Sequence, residues 1–173
     1  MRTALAFTLM LLCGIHAPCA PPAEALTING VRLSPEKVQA IQKQYGLRMA
    51  NGDYWYDRRS GAWGYVGGPA VGQVHPFLEL GGALKASASN GHTGVFINGR
   101  ELHILDVRAL QQITVVMPGR YWCDARGNLG FEGGPALINL YALAAAAQQR
   151  GGGVRREGIL STYDKTGAVV LGR

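Results

Sequence analysis

The chain has 173 residues, a formal net charge of +6, 47% hydrophobic and 16% charged residues, and 25 glycines. That apolar fraction excludes a disordered chain, and glycine without a Gly-X-Y period excludes collagen. Beyond the first 20 residues the apolar runs are all interrupted, which excludes a polytopic membrane protein and leaves one compact domain or two small ones.

The chain opens with Met1 and Arg2, followed by an apolar run from Ala4 to Ile15 and then small residues. This pattern reads as a secretory signal peptide over residues 1–25, cut after Ala25, and predicts an exported protein, periplasmic or extracellular. Its removal takes one base and one acid, so the charge stays at +6. Cys13 and Cys19 leave with it, and Cys123 is then alone, without a disulfide partner. Neither early cysteine has the flanks of a lipidated one.

The segment 28–70 matches the segment 97–136, with 18 identities over the 43 residues of the first copy. Each copy opens with Ile-Asn-Gly-x-x-Leu, and each closes on Tyr-Trp-x-Asp, a turn with an Arg, and Gly-Gly-Pro-Ala. The reading is an α+β fold of two tandem homologous units, 26–70 and 95–136. A linker, 71–94, joins them, and a C-terminal helix and degenerate hairpin follow over 137–173. A unit this small struggles to bury a core alone, so the two are expected to pack together.

Within the first unit, Leu26 to Ile28 and Val31 to Leu33 form a hairpin around Asn29-Gly30, a pair that tolerates the positive φ of a type I′ turn. Ser34 caps a helix with Pro35 at its first position, and the helix stops at Gly46. An aromatic hairpin follows. The second unit repeats this with Val95 to Ile97, Asn98-Gly99 and Arg100 to Leu102, then a helix whose apolar positions are Leu105, Val107, Leu110 and Ile113. The linker carries one apolar stretch near Phe77 to Leu80 and is expected to wrap the surface. Ala136 to Gln149 reads as a helix with Leu137, Leu140, Tyr141 and Ala144 on one face. Tyr163 to Ala168 echoes the first aromatic turn as a third, degenerate hairpin.

Four groups of residues carry chemistry. Asp57 and Asp124 are equivalent carboxylates that a pseudo-twofold could pair for acid and base work, but each also stands where Asp caps a turn, and the turn reading is preferred. In strand alternation Tyr54 and Tyr56 share one face, Trp55 takes the other, and Trp63 returns on the paired strand. One face must be core. The other, with Arg58 and Arg59 near, could be a stacking platform; the second copy offers Tyr121 and Trp122 but Cys123 and Leu129 in place of Tyr56 and Trp63. The first hairpin resembles the repeats of choline- and glucan-binding modules through Gly52, Trp55, Tyr56, Gly61 and Trp63, a likeness too short to carry a ligand across.

The Gly-Gly-Pro-Ala segments could offer amides to an anion, although a sharp turn explains them as well. His75, His92 and His103 lack partners at ligand spacing, so no metal is predicted, and no cofactor or nucleic-acid motif occurs. Cys123 with His103 is a conceivable nucleophile pair, packing being the simpler role. The resulting expectation is a non-enzymatic binding module for an anionic or carbohydrate cell-envelope component, with Trp55, Trp63, Arg58, Arg59 and Trp122 as binding residues. Its partners would be an envelope polysaccharide or an acidic protein, with no transmembrane segment once the signal is removed. The alternatives are a glycan hydrolase using Asp57 and Asp124, and a structural assembly subunit.

Overall fold

The computed structural model describes residues 25–149 and 170–171; the signal segment and the third hairpin near Tyr163 lie outside the described residues. The fold is α+β, with two mixed five-stranded sheets, one per unit. In the first unit, β1 (Leu26–Ile28) and β2 (Val31–Arg32) form the opening hairpin, and α1 (Pro35–Tyr45) follows. After the short β3 (Arg48–Met49) come β4 (Gly52–Tyr56), β5 (Ala62–Tyr65) and β6 (Ala70–Gln73). A 3₁₀ turn, Ala86–Ser89, leads into the second unit: β7 (Val95–Ile97), β8 (Arg100–Glu101), α2 (Ile104–Gln111), β9 (Gly119–Cys123), β10 (Asn128–Phe131) and β11 (Ile138–Asn139). Next is α3 (Leu140–Gln149), and β12 (Val170–Leu171) pairs in parallel with β3.

The sheets have one topology. The first runs β2-β1-β4-β5-β6, and the second β8-β7-β9-β10-β11. In each, the first strand of the opening hairpin pairs in parallel with the first strand of the aromatic hairpin, β1 with β4 and β7 with β9, Ile28 opposite Tyr54 and Ile97 opposite Tyr121. The duplicated motif explains this join. Asn29 and Asn98 sit in the left-handed region at φ 50° and 51°, where Asn is tolerated. Their amides then extend the ladder: the Asn29 side chain exchanges two 2.9 Å hydrogen bonds with the Tyr56 backbone, and Asn98 does the same with Cys123 at 2.7 and 3.0 Å.

The helix boundaries follow local chemistry. Ser34 accepts a hydrogen bond from the Lys37 amide, and Gly46 ends α1 at φ 67°. In α2, His103 is the cap, its Nδ1 accepting from the Leu105 amide. Two differences from the sequence reading stand out. Leu105 is exposed while Asp106 beside it is buried, because Asp106 has an ion-pair partner in the core. The predicted C-terminal helix begins four residues late, since Ile138 and Asn139 pair with β10 as a fifth strand and leave Leu137 exposed.

The linker also departs from expectation. Its first residues form β6, and Val74, Leu78 and Leu80 are buried in the first core with Leu26, Ile41, Leu47, Tyr54, Tyr56 and Trp63. Tyr56 holds this stretch by donating its hydroxyl to the His75 carbonyl at 2.7 Å and accepting from the Leu78 amide at 3.2 Å. The second core gathers Val95, Leu102, Val107, Leu110, Cys123 and Leu140.

Candidate functional site between the two units

Strand alternation places Tyr54 and Tyr56 on the α1 side of the first sheet and Trp55 on the reverse, yet both sides are covered. Trp55 is 0% exposed and Trp63 6%, so neither ring faces solvent. The Trp55 indole donates to the Gly68 carbonyl at 3.2 Å, and the Trp122 indole likewise to Gly134 at 2.9 Å. Each Trp thus ties its strand to its own Gly-Gly-Pro-Ala turn. The glycines are a steric requirement: a Cβ on Gly64 would come within 2.3 Å of the Pro69 carbonyl oxygen and 2.7 Å of the Trp55 ring.

Trp55 and Trp122 each receive an arginine from the other unit. The Arg100 guanidinium lies 3.9 Å from the Trp55 ring centroid, and that of Arg59 4.8 Å from Trp122. Arg58 instead makes an exposed ion pair with Glu79 at 2.5 Å. Arg100 is buried. It also donates to Ser89 Oγ and pairs with Asp106 at 3.1 Å, while Asp106 accepts the Ala70 amide of the first unit at 2.9 Å. Burial pulls the Arg100 pKa down, and the Asp106 carboxylate opposes that pull. Sequence reading did not find this clamp, although an aspartate at helical spacing from Leu110 and Ile113 was its trace.

The predicted carboxylates Asp57 and Asp124 line one cavity of about 240 Å³ at the junction. Both do turn work there. Among the described residues Asp57 accepts the Arg59 amide at 3.0 Å, Ser60 Oγ at 2.5 Å and, from the second unit, Asn98 Nδ2 at 2.6 Å. Asp124 accepts the amides of Arg126 and Asn128 and the Asn128 side chain, all within 3.0 Å. Burial would raise the Asp124 pKa, but those hydrogen bonds and the Arg126 charge bring it below the ordinary carboxylate value. Gln73 and Tyr141 complete the polar end: the Tyr141 hydroxyl donates to Gln73 Oε1, and Gln73 Nε2 donates to the Ser60 carbonyl at 2.5 Å. Ile97, Leu102, Leu110, Ile113, Leu140 and Ala144 are among its apolar walls.

Cys123 opens onto this cavity, buried, with its thiol pushed up to about 12 by burial and by Asp57 and Asp124. It is a neutral thiol at physiological pH. His103, its conceivable partner, is committed to the α2 cap.

A second hollow of about 250 Å³ lies on the same sheet around Leu129, Tyr121 and Phe131. Cys123 lines the first hollow and Leu129 the second. In the first unit Tyr56 stands directly opposite Trp63 across β4 and β5; in the second the equivalent pair is Cys123 opposite Leu129. Where the first unit has two rings facing across the strands, the second has a thiol and an aliphatic side chain.

Of the four glycine amides proposed for an anion, three are engaged. Gly67 donates to the Ala88 carbonyl, Gly68 to Tyr65 and Gly134 to Phe131. Each segment continues into a strand rather than a helix. Among the described residues, no group of three or more His, Cys, Asp or Glu could hold a metal ion, and no helix is long and apolar enough to cross a membrane.

No protein family matches the chain, and no solved structure does. The chain is similar to two proteins of Arabidopsis thaliana, extra-large guanine nucleotide-binding protein 1, 39% identical, and extra-large guanine nucleotide-binding protein 2, 29% identical, each over 116 residues. The alignment covers 65% of this chain but only 13% and 14% of those relatives. A stretch of that length cannot fit within one unit, so the likeness extends over both. It overturns the assignment to a cell-envelope component. Those relatives are named for a guanine nucleotide and not for an envelope polymer, and the predicted periplasmic or secreted localisation falls with that assignment. So do the polysaccharide and acidic-protein partners, the glycan hydrolase and the assembly subunit.

Proposed function

We propose that the chain is a binding module of the kind built into signalling proteins, its first unit a framework and its second the receiver. The carrying observation is the exchange of Tyr56 and Trp63 for Cys123 and Leu129, which fills one core and hollows the other. A small pocket with mostly apolar walls and a few convergent polar groups is the usual form of a ligand site. The relatives' names support the signalling context. They describe whole proteins, of which the matched stretch is about one eighth. In this reading the guanine nucleotide belongs to the remainder of those proteins, because three of the four glycine amides that could cradle phosphates here already donate within the chain.

The test is a two-dimensional amide NMR titration of the chain with a set of small aromatic and aliphatic compounds, and separately with GDP. Shifts are expected at residues around the two hollows, and none with GDP. Shifts confined to residues 26–73, or saturable GDP binding, would overturn the reading.

A further inference from the structure

We propose that the cavity over Cys123 binds a small planar aromatic carrying one hydrogen-bond donor, of the phenol or indole class; this rests on the second unit being the receiver. The first unit supplies the precedent. At the position equivalent to Cys123 it holds the Tyr56 phenol, ring in the core and hydroxyl donating to a carbonyl. The duplicate fold therefore already accommodates a phenol at this place, covalently attached. Replacing it with a thiol leaves the second unit with about 240 Å³ of room beside Cys123. Apolar cavities made by large-to-small exchange take up free aromatic molecules that replace the missing ring.

The walls select the donor. Asp57 and Asp124 each accept three hydrogen bonds among the described residues. A carboxylate offers about four acceptor sites, so each retains one. Cys123 contributes no charge, its thiol being held neutral by burial and the two carboxylates. The ion pair of Arg100 with Asp106 is satisfied internally and adds no net charge. A ring with an O–H or N–H meets the acceptors with its edge and the aliphatic walls with its faces.

The probe is p-cresol, the free form of a tyrosine side chain, with toluene as the same ring without the donor. At ten times its Kd, p-cresol should raise the melting temperature by roughly 3–5 °C, and toluene should raise it less. Cys123→Tyr should restore the first unit's arrangement, abolish the p-cresol shift and melt no lower than the parent. Should Cys123→Tyr fail to fold, Ala144→Leu fills the same cavity from α3 and should abolish the shift in its place. No shift with p-cresol, an equal shift with toluene, or a shift that survives in the cavity-filled variant overturns the proposal. The amide titration separates this failure from a wider one. Other compounds moving second-unit residues would leave the receiver standing with a different ligand class, whereas no compound doing so would remove both.

Discussion

Cys123 shows how one position can carry a consequence far larger than its side chain. In an open hairpin a cysteine would be an ordinary thiol; here burial and two carboxylates raise its pKa from 9.0 to about 12. Only the thiolate reacts readily. Alkylation of Cys123 in the folded protein at pH 8 should therefore be slower than in urea by at least ten-fold, as followed by mass spectrometry. The same shift links stability to pH. The unfolded thiol ionises near 9 and the folded one near 12, so the unfolded state holds fewer protons between those values. The contribution is complete below pH 9 and is lost as pH rises toward 12. Tyr56, raised from 10.0 to about 12 chiefly by burial, steepens the same decline. Urea melts from pH 8 to 11 should show it, with Cys123→Ala flattening the part nearest pH 9.

At the scale of elements, the repeated motif is a set of backbone devices. The Asn of Ile-Asn-Gly turns the hairpin and then stitches β1 to β4 and β7 to β9. Loss of either amide leaves strand backbone groups without partners, so Asn29→Ala should cost about 2–3 kcal/mol by chemical denaturation. Gly64 packs under the Trp55 ring, and Ala there would force Pro69 and Trp55 apart. A cost of roughly 3 kcal/mol is expected, set by overpacking rather than by backbone strain. Ser34→Ala, at an exposed cap, should cost about 1 kcal/mol and leave the rest of the fold in place.

The whole molecule is held by contacts that cross between the units: Arg100 on Trp55, Arg59 on Trp122, Asp106 to Ala70 and Asp57 to Asn98. Their burial differs, and burial ranks them. Arg100 and Asp106 are 5% and 3% exposed, so removing one leaves the other charged and unpaired out of water. Asp106→Ala should therefore destabilise by about 3–5 kcal/mol. Arg59→Ala, an exposed cation over a ring, should cost no more than about 1 kcal/mol. The intact chain should unfold in one transition, with circular dichroism and tryptophan fluorescence coincident. In Asp106→Ala the two signals should separate as the units come apart.

The duplication was legible as a direct match of one segment to another, and the hairpin turns at Asn29 and Asn98, the Ser34 cap and the Gly46 stop were legible because each depends on residues within a few positions of one another. The turn roles of Asp57 and Asp124 were legible for the same reason. The parallel join of β1 to β4, the burial of Leu78 and Leu80 beneath the first sheet and the cross-unit arginines were not, since each joins residues far apart in the chain. The exchange of Tyr56 and Trp63 for Cys123 and Leu129 could be read from the sequence, but its meaning could not. Alternation alone leaves open whether a ring faces water or a core. The tertiary structure covered both faces of the first hairpin and left hollows beside Cys123 and Leu129, because a core is close-packed and a position without a ring to fill it leaves a hollow.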